Sequence, residues 1–148
     1  MCDPADSPEA RNSIIRRFIT LQRETGDVIE QITADIESEM DRAGIKASVY
    51  GRAKKPHSIL RKMEEKKIGF SRLSDIYGFR IIVNEDFECY AALGAVHQRW
   101  RAVPGRFKDY IAIPKANGYQ SLHTTLFGLH GVPIEVQIRT TEMESVAD

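Results

Sequence analysis

The sequence lacks the features of secreted and membrane-spanning proteins. Its 148 residues include only two cysteines, Cys2 and Cys89, which are too few for a disulfide scaffold, so we expect both thiols to be reduced. No apolar run approaches the roughly 20 residues that are needed to span a bilayer. The polar first residues contain Pro4 and Pro8 and do not resemble a signal peptide. We therefore expect a soluble, cytoplasmic protein without membrane contacts.

Common catalytic motifs are missing as well. The four histidines show neither an HExxH motif nor zinc-ligand spacing. The GxSxG elbow of serine hydrolases and the GxxxxGK[ST] pattern of P-loop proteins are also absent. There are no internal repeats, and apolar residues make up 42% of the chain, which is typical of one ordinary globular domain.

Positive charge is concentrated in the middle of the chain. The overall net charge is zero, but residues 46–80 contain ten basic and three acidic residues, a net charge of +7. Such a segment predicts an anionic binding partner. A solvated, lysine-rich helix face explains the segment equally well when it is considered alone.

The periodicity of apolar residues predicts an α+β domain with a mixed β-sheet flanked by helices. A helical segment at about residues 8–44, nearly continuous across Gly26, is expected to begin after Ser7 and to end at Gly44. The further elements, in chain order, are a strand at 45–50, a basic helix at 56–67, a buried strand at 76–83, a helix at 86–100, an irregular stretch at 101–119 and a C-terminal hairpin. The last residues, 142–148, resemble the first turns of another helix, so we expect a truncated domain.

One face of the helix at 86–100 is expected to pack on the core. Its members recur at helical spacing and are Tyr90, Leu93, Val96, His97 and Trp100. Since His97 lies on this face, we interpret it as a packing residue with a satisfied hydrogen bond rather than as a ligand.

The hairpin has one aliphatic and one polar face. If Phe127 pairs with Pro133, then His123 lies opposite Gln137, and the aliphatic side chains of both strands share one face. The other face then carries Ser121, His123, Glu135, Gln137 and Arg139. A polar hairpin face is usually only solvated, but this combination of side chains is typical of a functional site.

Three further segments carry polar residues that packing does not explain. Residues 50–58 place a glycine and several cations before a helix, an arrangement that suits a polyphosphate. Asp75 precedes the buried strand, where it is either a metal ligand or a turn former. Residues 106–123 form a loop that is unusually long for a compact domain, which indicates a binding function. Lysines, an asparagine and Tyr119 in this loop would suit a nucleobase, and Asp75 with Glu135 would suit Mg²⁺ between phosphates.

In these same segments the sequence resembles the synthetase domain of the RelA/SpoT family. The resemblance runs from about Ile45 to the C-terminus. The stretches that carry it are Gly51-Arg52-x-Lys54 with Ser58 and Arg61-Lys62-Met63, Asp75 to Arg80, Val103 to Ile113, Pro114 to Thr124, and Glu135 to Thr140. Each stretch is a weak pattern, but five in order at compatible spacing are highly specific.

The resemblance implies a fold similar to DNA polymerase β-like nucleotidyltransferases and one synthetase domain over 1–148, with its catalytic core at about 45–148. It implies transfer of the β,γ-pyrophosphate of ATP to the ribose 3′-hydroxyl of GDP or GTP, as in the stringent response. By the same resemblance, ATP would be bound by Arg52, Lys54, Ser58 and Lys62. Asp75 and Glu135 would be the catalytic residues and Mg²⁺ ligands. GDP or GTP would be bound by Lys108, Lys115, Asn117, Tyr119, His123 and Gln137, with Tyr119 stacked on guanine.

The segment Arg106-Phe107-Lys108-Asp109 is similar to that of bifunctional members, which implies a preference for GDP. Those members also have a hydrolase domain with a His-Asp motif, and this sequence contains no His-Asp dipeptide. No contact with nucleic acid is expected from this domain, and ribosomal or regulatory contacts would need other domains. Two alternatives remain open, a general RNA-binding module and a family member that has kept only binding or regulation.

Overall fold

A computed structural model describes residues 8–53 and 77–147 of the chain. In chain order, its elements are helix α1 (Pro8–Arg42), strand β1 (Ser48–Ala53), strand β2 (Tyr77–Val83), helix α2 (Asp86–Arg99), strand β3 (Lys108–Asp109), strand β4 (Leu122–Phe127), strand β5 (Pro133–Thr140) and helix α3 (Thr141–Ala147). A 3₁₀ turn at Leu129–Gly131 joins β4 to β5. The predicted basic helix at 56–67 lies outside the described residues, as do Lys54, Ser58, Lys62 and Asp75.

The five strands form one mixed sheet in the order β1-β2-β5-β4-β3. Strand β2 runs parallel to β5, and the other neighbouring pairs are antiparallel. Strand β5 therefore lies at the centre of the sheet. The predicted α+β class with a mixed sheet is confirmed.

Helices α1 and α2 cover one face of the sheet. Alternate strand residues point into this layer, and all of β2's odd-numbered residues from Tyr77 to Val83 are buried. The side chains that close the core from α1 and α2 are aliphatic or small and include Ile32, Ile36, Met40, Ala92 and Val96. The hydrophobic core lies between the two helices and the sheet.

Helix α1 is one uninterrupted helix of 35 residues, as the near-continuity across Gly26 indicated. It ends at Arg42, and Gly44 follows with a φ of +74°, the left-handed conformation that glycine adopts readily at helix ends. The second half of α1 packs on the core, whereas Ile15 and Ile19 in the first half are 54% and 50% exposed. Ile15 and Ile19 therefore do not belong to the core.

The structure gives Gly51 a packing role that the sequence did not indicate. Gly51 lies within β1, which extends past the predicted end at Tyr50. A Cβ atom at this position would lie 2.7 Å from Phe79, 2.8 Å from Ile29 and 2.9 Å from Thr33. The missing side chain thus lets α1 approach β1 closely. Within the described residues, Gly51 lies in a strand rather than in a turn, and it serves helix–sheet packing.

The predicted buried face of α2 was partly wrong. The buried residues include Cys89, Ala92 and Val96, while Tyr90 is 41% exposed, because the packed face is rotated by about one residue toward smaller side chains. The packing role of His97 is confirmed, since its Nε2 atom lies 2.9 Å from the hydroxyl of Thr124. Burial lowers the pKa of His97 below its usual value.

No helix in the described ranges is both long enough and apolar enough to cross a membrane. The C-terminal residues do form a helix, α3, as the sequence predicted. The buried side chain of Met143 anchors α3, and the backbone N–H of Met143 donates a hydrogen bond to the hydroxyl of Thr140 over 3.2 Å.

Candidate active site

The predicted polar face of the hairpin forms as the alternation indicated. Phe127 pairs with Pro133, and His123 pairs with Gln137. On the other side of β5, the parallel strand β2 places Arg80 beside Gln137. Four polar side chains from three strands, including Glu135, therefore share the sheet face opposite α1 and α2. Ser121 departs from the prediction, because it is buried and donates a hydrogen bond to the carbonyl of Ile138 over 3.1 Å.

A cavity of about 230 Å³ opens over strands β1, β2 and β5 on this face. The described residues that line it include two arginines, Arg52 and Arg80, together with Glu135 and Gln137. A cavity with two guanidinium groups and one carboxylate can bind a polyanion and can position one acidic group next to it.

A second cluster of side chains lies next to the cavity, over β4 and β5. The hydroxyl of Tyr119 lies 2.6 Å from Nε2 of His123 and accepts a hydrogen bond from Nη2 of Arg139 over 3.2 Å. Since the hydroxyl accepts from the guanidinium, its own hydrogen is available for His123. The loop residue Tyr119 is thereby fixed to two strands of the sheet.

Arg139 and Glu135 are joined through the side chain that lies between them on β5. The amide oxygen of Gln137 accepts a hydrogen bond from Arg139, and its amide nitrogen donates to Oε1 of Glu135 over 3.2 Å. Nδ1 of His123 lies 3.9 Å from the same carboxylate oxygen. Glu135 is therefore held at the boundary between the cavity and the tyrosine–histidine pair.

The surroundings of His123 favour its neutral form. Burial lowers the pKa of His123. The negative charge of Glu135 raises this pKa, whereas the positive charges of Arg139 and Lys115 lower it further. A neutral ring that accepts the hydrogen of the Tyr119 hydroxyl at Nε2 carries its own hydrogen on Nδ1. That hydrogen lies on the side of Glu135.

Cations and aromatic rings surround Tyr119. The ammonium of Lys115 lies 5.3 Å from the centre of the Tyr119 ring and 4.7 Å from that of Tyr110, and the guanidinium of Arg139 lies 5.3 Å from the Tyr119 ring. The rings of Tyr110 and His123 meet that of Tyr119 edge-on. This arrangement combines an aromatic surface with positive charge, as recognition of a nucleotide requires.

The loop that carries these groups is anchored at Asp109, a role that the sequence did not reveal. Oδ1 of Asp109 accepts the backbone N–H groups of Ile111 and Ala112, each over 2.9 Å, and Oδ2 accepts the hydroxyl of Tyr90 over 2.9 Å. Partial desolvation and this hydrogen bond raise the pKa of Tyr90 to about 12. Tyr90 is exposed because it serves the loop rather than the core.

Two other predicted loop residues lie in different settings. Lys108 is exposed on β3 and pairs with His123, which places it beside the cluster. The side-chain oxygen of Asn117 accepts the backbone N–H of Tyr119 over 3.1 Å, so that oxygen shapes the turn before the tyrosine.

Glu144 on α3 is a site residue that sequence reasoning missed. Its Oε1 atom lies 2.6 Å from Nη1 of Arg80, and its Oε2 atom lies 3.6 Å from Nη1 of Arg139. The alternation along β5 predicted Arg139 on the polar face. The negative charge that pairs with Arg139 comes from Glu144 on the following helix. The sequence signal was limited to a glutamate in the first turns after that strand.

The structure therefore brings together most of the predicted site residues that it describes. The residues that lie on or beside the polar face are Arg52, Lys108, Lys115, Tyr119, His123, Glu135 and Gln137. Within the described ranges, no group of three or more His, Cys, Asp or Glu residues could hold a metal ion. Among the described residues, Glu135 is the carboxylate that lines the cavity, and the other residue predicted as a metal ligand, Asp75, lies outside those ranges.

Comparison with known proteins adds a family to this geometry. Residues 51–148 match a family model described as the region found in RelA / SpoT proteins. The chain is 46% identical over 142 residues to the GTP pyrophosphokinase rsh of Brucella melitensis, a match that covers 96% of this chain and 19% of that protein. It is 52% identical over 122 residues to the bifunctional (p)ppGpp synthase/hydrolase SpoT of Escherichia coli K12, covering 82% of this chain and 17% of that protein. The chain thus spans about a fifth of the length of these relatives.

Solved structures with a similar fold include small alarmone synthetase 1 from Bacillus subtilis bound to its product pppGpp. That structure is 26% identical, with a TM-score of 0.64, and the match covers 88% of this chain and 74% of the other. A second structure of the same protein gives a TM-score of 0.65 at 27% identity and covers 88% and 73% of the two chains. The predicted nucleotidyltransferase-like fold is confirmed.

Proposed function

This chain belongs to the RelA/SpoT family, and we propose that it is a GTP/GDP pyrophosphokinase domain that makes (p)ppGpp from ATP and GDP or GTP. The observation that carries the proposal is the position of Glu135. Its carboxylate lies between a cavity with two arginines and an aromatic cluster with two cations. One acidic group is therefore available to two adjacent sites for anionic, base-bearing ligands.

The reaction needs two nucleotides in adjacent sites. The cavity suits ATP, because Arg52 and Arg80 can bind phosphate or stack on a base. We assign Lys54, Ser58 and Lys62 to the same nucleotide from the resemblance. The cluster suits the acceptor, with guanine stacked on Tyr119 and with Lys108, Lys115, Asn117, His123 and Gln137 around it.

In the proposed step, the 3′-oxygen of the acceptor bonds to the β-phosphorus of ATP. The bond from that phosphorus to the oxygen that bridges to the α-phosphate breaks, and AMP leaves with that oxygen. Glu135 accepts the proton of the 3′-hydroxyl. Gln137 holds the carboxylate through Oε1, and the neutral ring of His123 adds no positive charge that would weaken it as a base.

RelA/SpoT-family pyrophosphokinases generally use a divalent metal, and we propose Mg²⁺ with Glu135 and Asp75 as its protein ligands. A site with one or two carboxylates fits this ion, because Mg²⁺ is usually completed by substrate phosphates and water. When bound, Mg²⁺ would neutralise phosphate charge during transfer. A cytoplasmic location, where both nucleotides are available, is part of the proposal.

A labelling experiment tests this function. The chain is incubated with γ-labelled ATP, GDP and Mg²⁺, and the products are separated by charge. A labelled guanosine tetraphosphate together with unlabelled AMP is expected. Release of labelled phosphate or pyrophosphate without labelled guanosine tetraphosphate would contradict the proposal, and salt-sensitive RNA binding without turnover would favour the RNA-binding alternative.

A further inference from the structure

The cavity and the aromatic cluster share one counter-ion, Glu144. One oxygen of this carboxylate contacts Arg80 over 2.6 Å, and the other lies 3.6 Å from Arg139. Arg80 lines the cavity, whereas Arg139 holds the hydroxyl of Tyr119. A single side chain on α3 therefore contacts both halves of the polar face.

Arg139 is buried beside this carboxylate. It is 2% exposed, and its Nε atom has no hydrogen-bond partner among the described residues. A buried guanidinium requires a nearby negative charge, because its desolvation is otherwise not compensated. Glu135 reaches Arg139 only through Gln137. Among the described residues, the carboxylate that forms an ion pair with Arg139 is Glu144, whose buried Oε2 atom lies 3.6 Å from Nη1 without a hydrogen bond.

The fold fixes where Glu144 lies. Helix α3 follows β5 without a gap, and the buried side chain of Met143 together with its backbone bond to Thr140 sets the first turn. The short contact to Arg80 is charge-assisted, which favours one orientation of that guanidinium. The position of Arg80 beside the cavity is thus set by a residue outside the sheet.

We propose that Glu144 is a positioning residue, which aligns Arg80 in the donor cavity and Arg139 behind Tyr119 at the same time. This inference rests on the proposed function. Neutralising Glu144 leaves both arginines charged, so the attraction of the site for polyanions remains. The alignment of the two nucleotides is lost, and phosphoryl-type transfer depends mainly on that alignment. The effect therefore falls on kcat more than on nucleotide affinity.

Glu144→Gln tests this role, and Glu142→Gln is the matched control. Glu142 is an exposed glutamate on the same helix, so both variants lose one charge from α3. For Glu144→Gln we expect kcat to fall by about tenfold, while the Kd values of GDP and of a non-hydrolysable ATP analogue change by less than about threefold. Glu144→Asp keeps the charge with a shorter reach, so it should recover part of the rate. Glu142→Gln should behave as the wild type.

A second measurement does not depend on turnover. In the side-chain NMR spectrum of the ¹⁵N-arginine-labelled chain, Glu144→Gln should shift the Nε–H signals of both Arg80 and Arg139, and Glu142→Gln should shift neither. An unchanged kcat with only a lower melting temperature would overturn the proposal, as would a response of only one arginine. If the wild-type chain makes no guanosine tetraphosphate, the proposed function fails, while the arginine spectra still decide whether Glu144 links the two sites.

Discussion

The two faces of strand β5 share one backbone and have opposite roles. Ile134, Val136 and Ile138 are fully buried against the helices, whereas Glu135 and Gln137 line the cavity on the other face. Strand alternation is the reason, because neighbouring side chains project to opposite sides of a sheet. The aliphatic face fixes the strand in the core, and the polar face thereby obtains a rigid support for its charged groups.

The comparison predicts that changes on the two faces differ in kind. A change on the polar face should impair activity with little loss of stability. A change on the helix-covered face should impair stability first. Activity assays and unfolding measurements on matched variants separate these effects.

The largest effect is expected at the central carboxylate. Glu135→Gln keeps the size of the side chain but removes the proposed base and metal ligand. Synthesis should fall by roughly a thousandfold or more, because several kcal/mol of transition-state stabilisation are lost. Steady-state assays measure the rate of synthesis, and the melting temperature shows whether the variant is folded. Glu30→Gln, at an exposed position on α1, is the control. We expect the same loss for Asp75→Ala. Near-normal synthesis by a folded Glu135→Gln variant would contradict its role.

On the helix-covered face, the sharpest test uses two glycines. Gly51→Ala would place a methyl group within 3.0 Å of three side chains from α1 and β2, so the free energy of unfolding should fall by about 1–3 kcal/mol. Gly26 lies in α1 with no neighbouring atom within 4 Å of an added Cβ. Gly26→Ala should therefore raise the free energy of unfolding by about 0.5–1 kcal/mol. Urea titrations measure both, and equal responses would contradict the close-packing role of Gly51.

Tyr119 separates stacking from hydrogen bonding. Tyr119→Ala should weaken GDP binding by about tenfold to a hundredfold, since stacking on a base contributes on the order of 1–3 kcal/mol. Tyr119→Phe keeps the ring but removes the hydroxyl that joins His123 to Arg139. Its loss should be mild, about fivefold, in line with one net hydrogen bond of about 1 kcal/mol. Calorimetric titration with GDP decides the point, and unchanged affinity in Tyr119→Ala would mean that the ring only packs against its loop.

The smallest effect concerns the choice of acceptor. Lys108 lies beside His123 at the edge of the sheet, and Arg106 is exposed in the preceding loop. Reversing both charges, with Arg106→Glu and Lys108→Asp, should shift the ratio of kcat/KM values toward GTP by about tenfold, because one charged contact rarely contributes more than a few kcal/mol. Competition between GDP and GTP measures the ratio. An equal loss for both nucleotides would assign the segment to support rather than selection.

The hairpin shows what the sequence could predict. Alternation over residues 122–140 allowed one register in which all aliphatic residues share a face, and the structure has that register. His123, Glu135 and Gln137 could therefore be grouped from the sequence alone. Local periodicity was sufficient, because both strands are adjacent in the chain.

Contacts between distant segments could not be predicted in this way. Tyr90 was expected in the core because it fits the helical spacing, but its hydroxyl bonds to Asp109, 19 residues away. The packing role of Gly51 could not be predicted locally, because its neighbours Ile29 and Thr33 belong to a helix more than 15 residues earlier in the chain. Glu144 had no local pattern at all, because its two partners lie on different strands.

The central claim is that the nucleotides bind to the polar face while the helix-covered face only supports it. Backbone amide chemical-shift mapping with GDP, followed by a non-hydrolysable ATP analogue and Mg²⁺, tests this most directly. We expect the largest shifts with GDP at residues 115–123 and 135–139, and additional shifts with the ATP analogue around Arg52 and Arg80. Largest shifts in α2 or in the second half of α1, with the polar face unchanged, would contradict it.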